Sequence, residues 1–94
     1  MKEDSMAATL TAEVLQDHVA VSLACTIATA NKRARELGVD VVQSFITITQ
    51  HISNGTLLWR VNYGPRDYVG RRGGDLIIEV DPFDASIRQV LRGQ

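Results

Sequence analysis

Residues 46–63, ITITQHISNGTLLWRVNY, decide the fold. At their centre, Asn54-Gly55 is the strongest short-range signal for a two-residue hairpin turn, because both turn residues must adopt positive φ and this dipeptide does so at little cost. A turn at these two positions predicts a single pairing register. One face of the hairpin then pairs Ile52 with Leu57, Gln50 with Trp59, Ile48 with Val61 and Ile46 with Tyr63; the other pairs His51 with Leu58, Thr49 with Arg60 and Thr47 with Asn62.

The first of these faces is almost wholly apolar and the second is mixed, which is the alternation expected of an antiparallel sheet with one buried side. A second hairpin follows, in which residues 75–81 alternate, Pro82-Phe83-Asp84-Ala85 supplies a four-residue turn, and residues 86–92 return as a fourth strand. The register predicted here pairs, on the inner face, Val80 with Ile87, Ile78 with Gln89 and Leu76 with Leu91, and, on the outer face, Glu79 with Arg88, Ile77 with Val90 and Asp75 with Arg92.

A single helix is predicted ahead of the strands. Thr11 is a good N-cap residue, and the helix is expected to run through Leu37 and to stop at Gly38. Apolar residues recur at spacings of three and four and define one buried stripe: Leu15, Val19, Leu23, Ile27, Ala30, Ala34 and Leu37.

These elements predict an α+β domain, in which one long N-terminal helix packs on a four-stranded antiparallel meander in the order α-β-β-β-β. Residues 1–10 are expected to be a flexible N-terminus and residues 11–94 a single domain. The strand residues expected to meet the helix stripe are Ile46, Ile48, Trp59, Val61, Tyr63, Ile78 and Val80.

Composition limits the classes of function. The chain has 94 residues, with ten basic and eleven acidic side chains and a formal net charge of −1. A near-neutral chain of this size lacks the broad basic field that binds nucleic acid or anionic membranes, so neither is favoured as a partner. Cys25 is the single cysteine, and no segment is apolar and long enough for a signal-peptide core or a membrane span. We therefore expect a cytoplasmic protein.

No catalytic residue, metal site or cofactor is predicted. His18 and His51 show no metal-ligand spacing with each other or with Cys25. The carboxylates Glu79 and Asp75 are expected to pair with arginines across the second hairpin, and no serine stands in a recognisable nucleophile motif. An enzyme is not favoured, although nothing in the sequence excludes one.

Two surfaces are candidates for binding. The loop of residues 64–74 interleaves Arg66, Arg71 and Arg72 with Tyr68 and glycines, which could hold a phosphate or an acidic segment of a partner; the alternative is a solvated connection. The outer sheet face places Phe45 and Leu58 beside Arg60, together with Ile77 and Val90, as an exposed apolar patch with a polar rim. The alternative for this face is scattered surface hydrophobes.

The end of the chain resembles a known group of folds. The residues that carry the likeness are Trp59-Arg60-Val61, Gly73-Gly74-Asp75, Ile78-Glu79-Val80-Asp81 and residues 87–94. They are similar to the C-terminal half of small cystatin-like and nuclear-transport-factor-like modules, among them PepSY-type domains and immunity proteins. The resemblance implies a cystatin-like two-layer fold and a non-catalytic role in binding other proteins.

The function expected on these grounds is that of a small protein-binding module, either of inhibitor or immunity type or a homodimeric interaction domain. It would use the outer sheet face and the Gly/Arg loop, and a second copy of the chain is the slightly favoured partner. One alternative is a small-ligand-binding or enzymatic domain of the nuclear-transport-factor-like kind, with a pocket between helix and sheet. Another is nucleic-acid binding through Arg66, Tyr68, Arg71 and Arg72.

Overall fold

The computed structural model describes residues 12–65 and 75–93. Two helices precede four strands: α1 (Ala12–Leu15), α2 (His18–Glu36), β1 (Ser44–Ser53), β2 (Thr56–Pro65), β3 (Leu76–Val80) and β4 (Ile87–Arg92). The strands form one antiparallel sheet in the order β1-β2-β3-β4, and α2 lies over β2 and β3. The predicted α+β arrangement, a main helix followed by a four-stranded meander, is confirmed. Among the described helices, none has the length and apolar character that a membrane crossing requires.

The first hairpin has the predicted register. Asn54 and Gly55 form its turn with φ angles of 53° and 79°, the left-handed region that a type I′ turn requires. Every predicted pair is present, from Ile52 opposite Leu57 to Ile46 opposite Tyr63, and the ladder continues to Ser44 opposite Pro65. Turn chemistry and apolar alternation agree on the same alignment, which explains why the prediction succeeded.

The register predicted for the second hairpin is wrong beyond its first pair. Val80 faces Ile87 as expected, but a bulge follows, so that Glu79 faces Gln89 and not Arg88. The remaining pairs are displaced by one residue: Ile78 faces Val90, Ile77 faces Leu91 and Leu76 faces Arg92. The bulge releases Arg88 from the ladder, and its guanidinium forms an ion pair with Asp81 at 3.2 Å (Nη2 to Oδ2).

The bulge also changes which side chains of β4 face α2. Val90 lies on the helix side and packs against the core, where the predicted register would have placed Gln89. Arg92 comes to the same side and donates from Nη2 to the carbonyl oxygen of Leu37 at 2.9 Å. A cation at this position complements the negative C-terminal end of the helix dipole, a gain that the outer-face pairing of Arg92 with Asp75 would not provide.

The predicted helix is interrupted near its start, because the chain breaks between Leu15 and His18. Asp17 is the N-cap of α2, with extended backbone angles (φ −70°, ψ 110°), and its carboxylate accepts a hydrogen bond from the Ala20 amide at 2.9 Å. Aspartate satisfies a helix N-terminus better than it fits a helix interior. The predicted end of the helix is confirmed: Gly38 has a φ of 89°, and the Val39 amide donates to the Ala34 carbonyl, as in a Schellman motif.

Small residues bring α2 close to the sheet. Thr26, Ala30 and Ala34 are fully buried, at a spacing of four, and they lie over the core of the sheet. The buried core consists of Ala30, Ala34, Val41, Val61, Tyr63, Leu76, Ile78 and Val80, and Ile27, Leu37, Ile48 and Val90 are among the residues packed against it. The predicted buried stripe is wrong at its N-terminal end, where Leu15 and Val19 are 63% and 64% exposed. Ile46 of β1, which was expected to meet the stripe, is also exposed.

Tyr63 anchors α2 to β2 in the middle of this core. It is 1% exposed, and its hydroxyl donates to Oδ1 of Asn31 at 2.7 Å. Burial raises the pKa of the Tyr63 hydroxyl to about 12, against the opposing effect of the nearby Arg35 charge.

The N-cap at Asp17 predicts a selective loss of stability. Asp17→Ala should lower the free energy of unfolding by about 1 kcal/mol, because the Ala20 amide loses its acceptor, whereas Asp17→Asn should keep most of it. Urea titrations followed by circular dichroism would measure both variants. An equal effect of the two substitutions, or none, would contradict the assignment of Asp17 as the cap.

The raised pKa of Tyr63 predicts a loss of stability at alkaline pH. The unfolded chain ionises this phenol near pH 10 and the folded chain near 12, so the stability that depends on neutral Tyr63 is complete below pH 10 and is lost as pH rises through 12. Tyr63→Phe should remove this pH dependence, and should remove the late step from an absorbance titration of tyrosine. A wild-type titration with no step above pH 11 (roughly one unit above the model phenol) would contradict the burial argument.

Candidate functional site: an apolar cleft beside Phe83

The two layers of the domain leave an apolar surface uncovered at one end. The first half of α2, the tip of the β1–β2 hairpin and the β3–β4 turn meet there, and each contributes large apolar side chains that are exposed. They are Val19 and Val21 from α2, Ile52 and Leu57 from the hairpin tip, and Phe83 from the turn. Uncovered apolar residues collected at one place, and not scattered singly, are typical of an interaction surface.

Within this surface the structure forms a cleft with two adjoining hollows, here called the Phe83 cleft. Their volumes are about 370 Å³ and about 420 Å³. Both are lined by His18, Ser22, Pro82 and Phe83. One hollow adds Val21, Cys25, Asp84 and Ala85, and the other adds Val19, Gln50, Leu57 and Trp59.

A hydrogen-bonded chain holds the three elements around the cleft together. The indole Nε1 of Trp59 donates to Ser22 Oγ at 3.3 Å, and Ser22 Oγ donates to the backbone carbonyl of Pro82 at 2.9 Å. One hydroxyl thus links β2, α2 and the β3–β4 turn. Because Ser22 is small, the helix can approach both partners closely at this point.

The β3–β4 turn places Phe83 in solvent. The Asp81 carboxylate accepts a hydrogen bond from the Phe83 amide at 2.8 Å, and the Asp81 carbonyl accepts one from the Ala85 amide at 2.9 Å. Ala85 has a φ of 57°, in the left-handed region that non-glycine residues adopt rarely. The Phe83 side chain is 94% exposed at the apex. These local bonds fix the backbone of the turn that carries the ring.

The Asp84 carboxylate completes the turn. It accepts a hydrogen bond from the Ser86 amide at 2.9 Å. Hydrogen bonding by the Ser86 side chain, and then by its amide, lowers the pKa of Asp84 below its ordinary value. Asp84 is therefore a fixed negative charge at the rim of a cleft whose other lining is mainly apolar.

Polar groups at the cleft are few. His18, Cys25 and Asp84 are its ionisable lining residues, and within residues 12–65 and 75–93 no group of three or more His, Cys, Asp or Glu side chains is placed to hold a metal ion. Apolar walls with few polar groups suit the binding of apolar side chains, with the Gln50 amide and the His18 imidazole available to orient them.

The outer sheet face does not have the predicted apolar patch. Leu58 is only 6% exposed, and Val90 lies on the helix side because of the bulge in β4. Ile77 is half-buried, and Phe45 alone of the four is strongly exposed. The expectation of four exposed apolar residues on this face is therefore wrong for Leu58 and Val90.

An ion pair occupies the centre of the outer face. Arg60 donates from Nε and Nη2 to Glu79 Oε2, at 2.9 Å and 2.7 Å, and His51 Nε2 lies 3.9 Å from the same oxygen. The Glu79 residue is 3% exposed. Since Arg60 neutralises a carboxylate withdrawn from water, its geometry is that of a structural ion pair; a binding role for it stays a prediction.

The remaining predicted binding residues, Arg66, Tyr68, Arg71 and Arg72, lie outside the described residues, so a role for the Gly/Arg loop also stays a prediction. Sequence reasoning missed the Phe83 cleft. Two signals were present: a large aromatic residue inside the turn Pro82-Phe83-Asp84-Ala85, and apolar residues in the first half of α2 too numerous for a single stripe.

Comparison with known proteins gives no further guidance: no family model, no curated protein and no solved structure matches this chain. The resemblance to cystatin-like and nuclear-transport-factor-like modules therefore stays a prediction.

The two hydrogen bonds of the Ser22 hydroxyl predict that its removal destabilises the fold. Ser22→Ala leaves the Trp59 indole without its acceptor and should lower the free energy of unfolding by about 1–2 kcal/mol. Ser22→Thr retains the hydroxyl and should lose less. The single tryptophan makes intrinsic fluorescence a direct reporter, and an unchanged Trp59 spectrum in Ser22→Ala would contradict the proposed link.

Proposed function

We propose that this protein is a non-catalytic protein-binding module that binds an apolar segment of a partner protein in the Phe83 cleft. The observation that carries the proposal is the 94% exposure of Phe83 on a turn held by Asp81, beside a cleft walled by α2 and the hairpin tip. An exposed aromatic side chain beside a cleft, among other exposed apolar residues, is typical of an interaction surface.

The energetics favour Phe83 as the main contact. Burial of a phenylalanine side chain stabilises a complex by roughly 1.5–3 kcal/mol, and aromatic residues beside a hollow are frequent centres of binding energy. The bonds that join Trp59, Ser22 and Pro82 already fix the cleft in the unbound chain. These three residues therefore need not be ordered when a partner binds.

The proposed function is of the class expected from the sequence, a binding module of inhibitor or immunity type. The proposed binding surface is different. The sequence favoured the outer face and the Gly/Arg loop. In the structure the exposed apolar residues collect on the opposite, helix side of the sheet, and the centre of the outer face is taken by the Arg60–Glu79 ion pair.

A second candidate is a small apolar ligand in the same cleft. The observation that favours it is volume, since hollows of about 370 Å³ and about 420 Å³ fall within the range of small-molecule sites. The alternative interpretation of the sequence required a pocket between helix and sheet, and these hollows support it, although they open at the end of the layers and not within the core.

A differential selection would test the proposal. A random peptide library would be selected on the wild-type protein and on Phe83→Ser, with Phe45→Ser as the matched control, because Phe45 is also an exposed phenylalanine but lies away from the cleft. Peptides enriched on wild type should be rich in apolar residues, should change Trp59 fluorescence, and should bind Phe45→Ser normally. Binding to Phe83→Ser should be weaker by at least tenfold (about 1.4 kcal/mol).

Peptides that bind wild type and Phe83→Ser equally would place the binding surface elsewhere and contradict the proposal. Failure to enrich any peptide, together with a rise in melting temperature on addition of small apolar compounds, would favour the second candidate. Loss of binding in both phenylalanine variants would show a general effect of lost apolar surface and would also count against the cleft.

A further inference from the structure

The edge of β1 that no described strand covers, here called the free edge, has the properties of a pairing surface. β1 runs for ten residues, Ser44–Ser53, and lies at one edge of the sheet. Its sequence, SFITITQHIS, has no Lys, Arg, Asp, Glu or Pro. Natural proteins usually block long edge strands with charges, prolines, bulges or short length, because an open edge pairs with other chains.

The opposite edge of the same sheet is blocked in this way. β4 has six residues, contains a bulge, and carries Arg88 and Arg92. Of the two edge strands of this sheet, β4 is therefore protected against pairing, and β1 is suited to accept another strand.

The register of the first hairpin shows which backbone groups of β1 are open. The pair Ser53 and Thr56 closes the two-residue turn, so positions bonded to β2 alternate back through His51, Thr49 and Thr47. The amides and carbonyls at the intervening positions point away from β2, where no strand among the described residues pairs with them. These positions are Ile46, Ile48, Gln50 and Ile52; the next outward amide, that of Ser44, donates to the Val41 carbonyl at 3.1 Å.

We propose that a second copy of this chain pairs with β1 in antiparallel orientation, about a two-fold axis at Thr49. The open segment runs from residue 46 to residue 52, and its midpoint is Thr49. An axis there uses every open position: Ile46 faces Ile52 of the second copy, Ile48 faces Gln50, and Thr49 faces Thr49. The two sheets join into one, and both copies of α2 lie on the same side of it.

The side chains in this register are self-complementary. On the helix side, exposed Ile46 and Ile52 cover each other across the junction. On the outer side Thr49 meets its own copy and Thr47 meets His51, with no pair of like permanent charges. Opposed β-branched residues and Thr–Thr pairs stabilise antiparallel strands. A second copy therefore fits this edge without any change to the chain.

The pairing also extends the cleft. Ile52 lies opposite Leu57, which lines the Phe83 cleft, so Ile46 of the second copy would continue the apolar wall beyond Ile52. The dimer does not depend on what the cleft binds, and Phe83→Ser should leave it intact.

Opposite charges at Thr49 test the axis directly. Thr49 is exposed on the outer face, so Thr49→Lys and Thr49→Glu should fold normally. Each places two like charges side by side in its own homodimer and should raise the dimer dissociation constant by about fivefold at low salt. An equimolar mixture of the two variants should restore, or exceed, wild-type association. Sedimentation velocity over a range of concentrations measures all three.

Thr47→Lys and Thr47→Glu are the matched controls. Thr47 is also exposed on the same strand, but in this register it does not face its own copy, so mixing the two variants should give no comparable rescue. Rescue at position 47 and not at 49 would overturn the axis. Wild-type protein that stays monomeric at high concentration would overturn the dimer.

Gln50→Pro provides a second, stronger test. The Gln50 amide points to the open edge, so proline there removes no bond to β2 but obstructs a strand arriving from outside. The expected result is a folded monomer by circular dichroism and sedimentation. A folded Gln50→Pro dimer with the wild-type dissociation constant would show that β1 is not the interface.

Discussion

The turn at Asn54-Gly55 is the constraint on which the rest of the structure depends. Its two positive φ angles close β1 on β2 in one alignment, and that alignment decides which side chains face α2. A displacement of one residue would turn Val61 and Tyr63 to solvent and remove the centre of the core. The same alignment decides which backbone groups of β1 are bonded to β2 and which remain open. Fold, cleft and free edge therefore have a common origin.

Which parts of the fold the sequence could predict depends on how close together in the chain the deciding residues lie. The first hairpin was predictable because the turn dipeptide and the apolar alternation both lie within the same eighteen residues. The bulge at Arg88 was not, since it depends on a balance between the Arg88–Asp81 ion pair, the burial of Val90 and the contact of Arg92 with the end of α2. The break at Asp17 was available as a capping signal but was outweighed by apolar periodicity on either side of it.

The candidate site was harder to predict from the sequence, because it consists of apolar side chains that the helix and the sheet leave exposed. Periodicity marks Val19 as a core residue, and only the placement of α2 over β2 and β3 shows that it is exposed. Phe83 belongs to no periodic element. Conversely, Arg60 was predicted to belong to a binding surface on the outer face, whereas the structure joins it to Glu79 within bonding distance. The exposure of a side chain depends on how all the helices and strands pack together, so the residue pattern of a single helix or strand predicts it poorly.

The most direct test of this account is residue-resolved amide hydrogen exchange along β1 at low protein concentration. We predict an alternation: the amides of Thr47, Thr49 and His51, bonded to β2, exchange slowly, and those of Ile46, Ile48, Gln50 and Ile52 exchange fast and become protected as the protein concentration rises. Protection of the opposite set, or uniform protection that does not depend on concentration, would contradict the register and everything inferred from it.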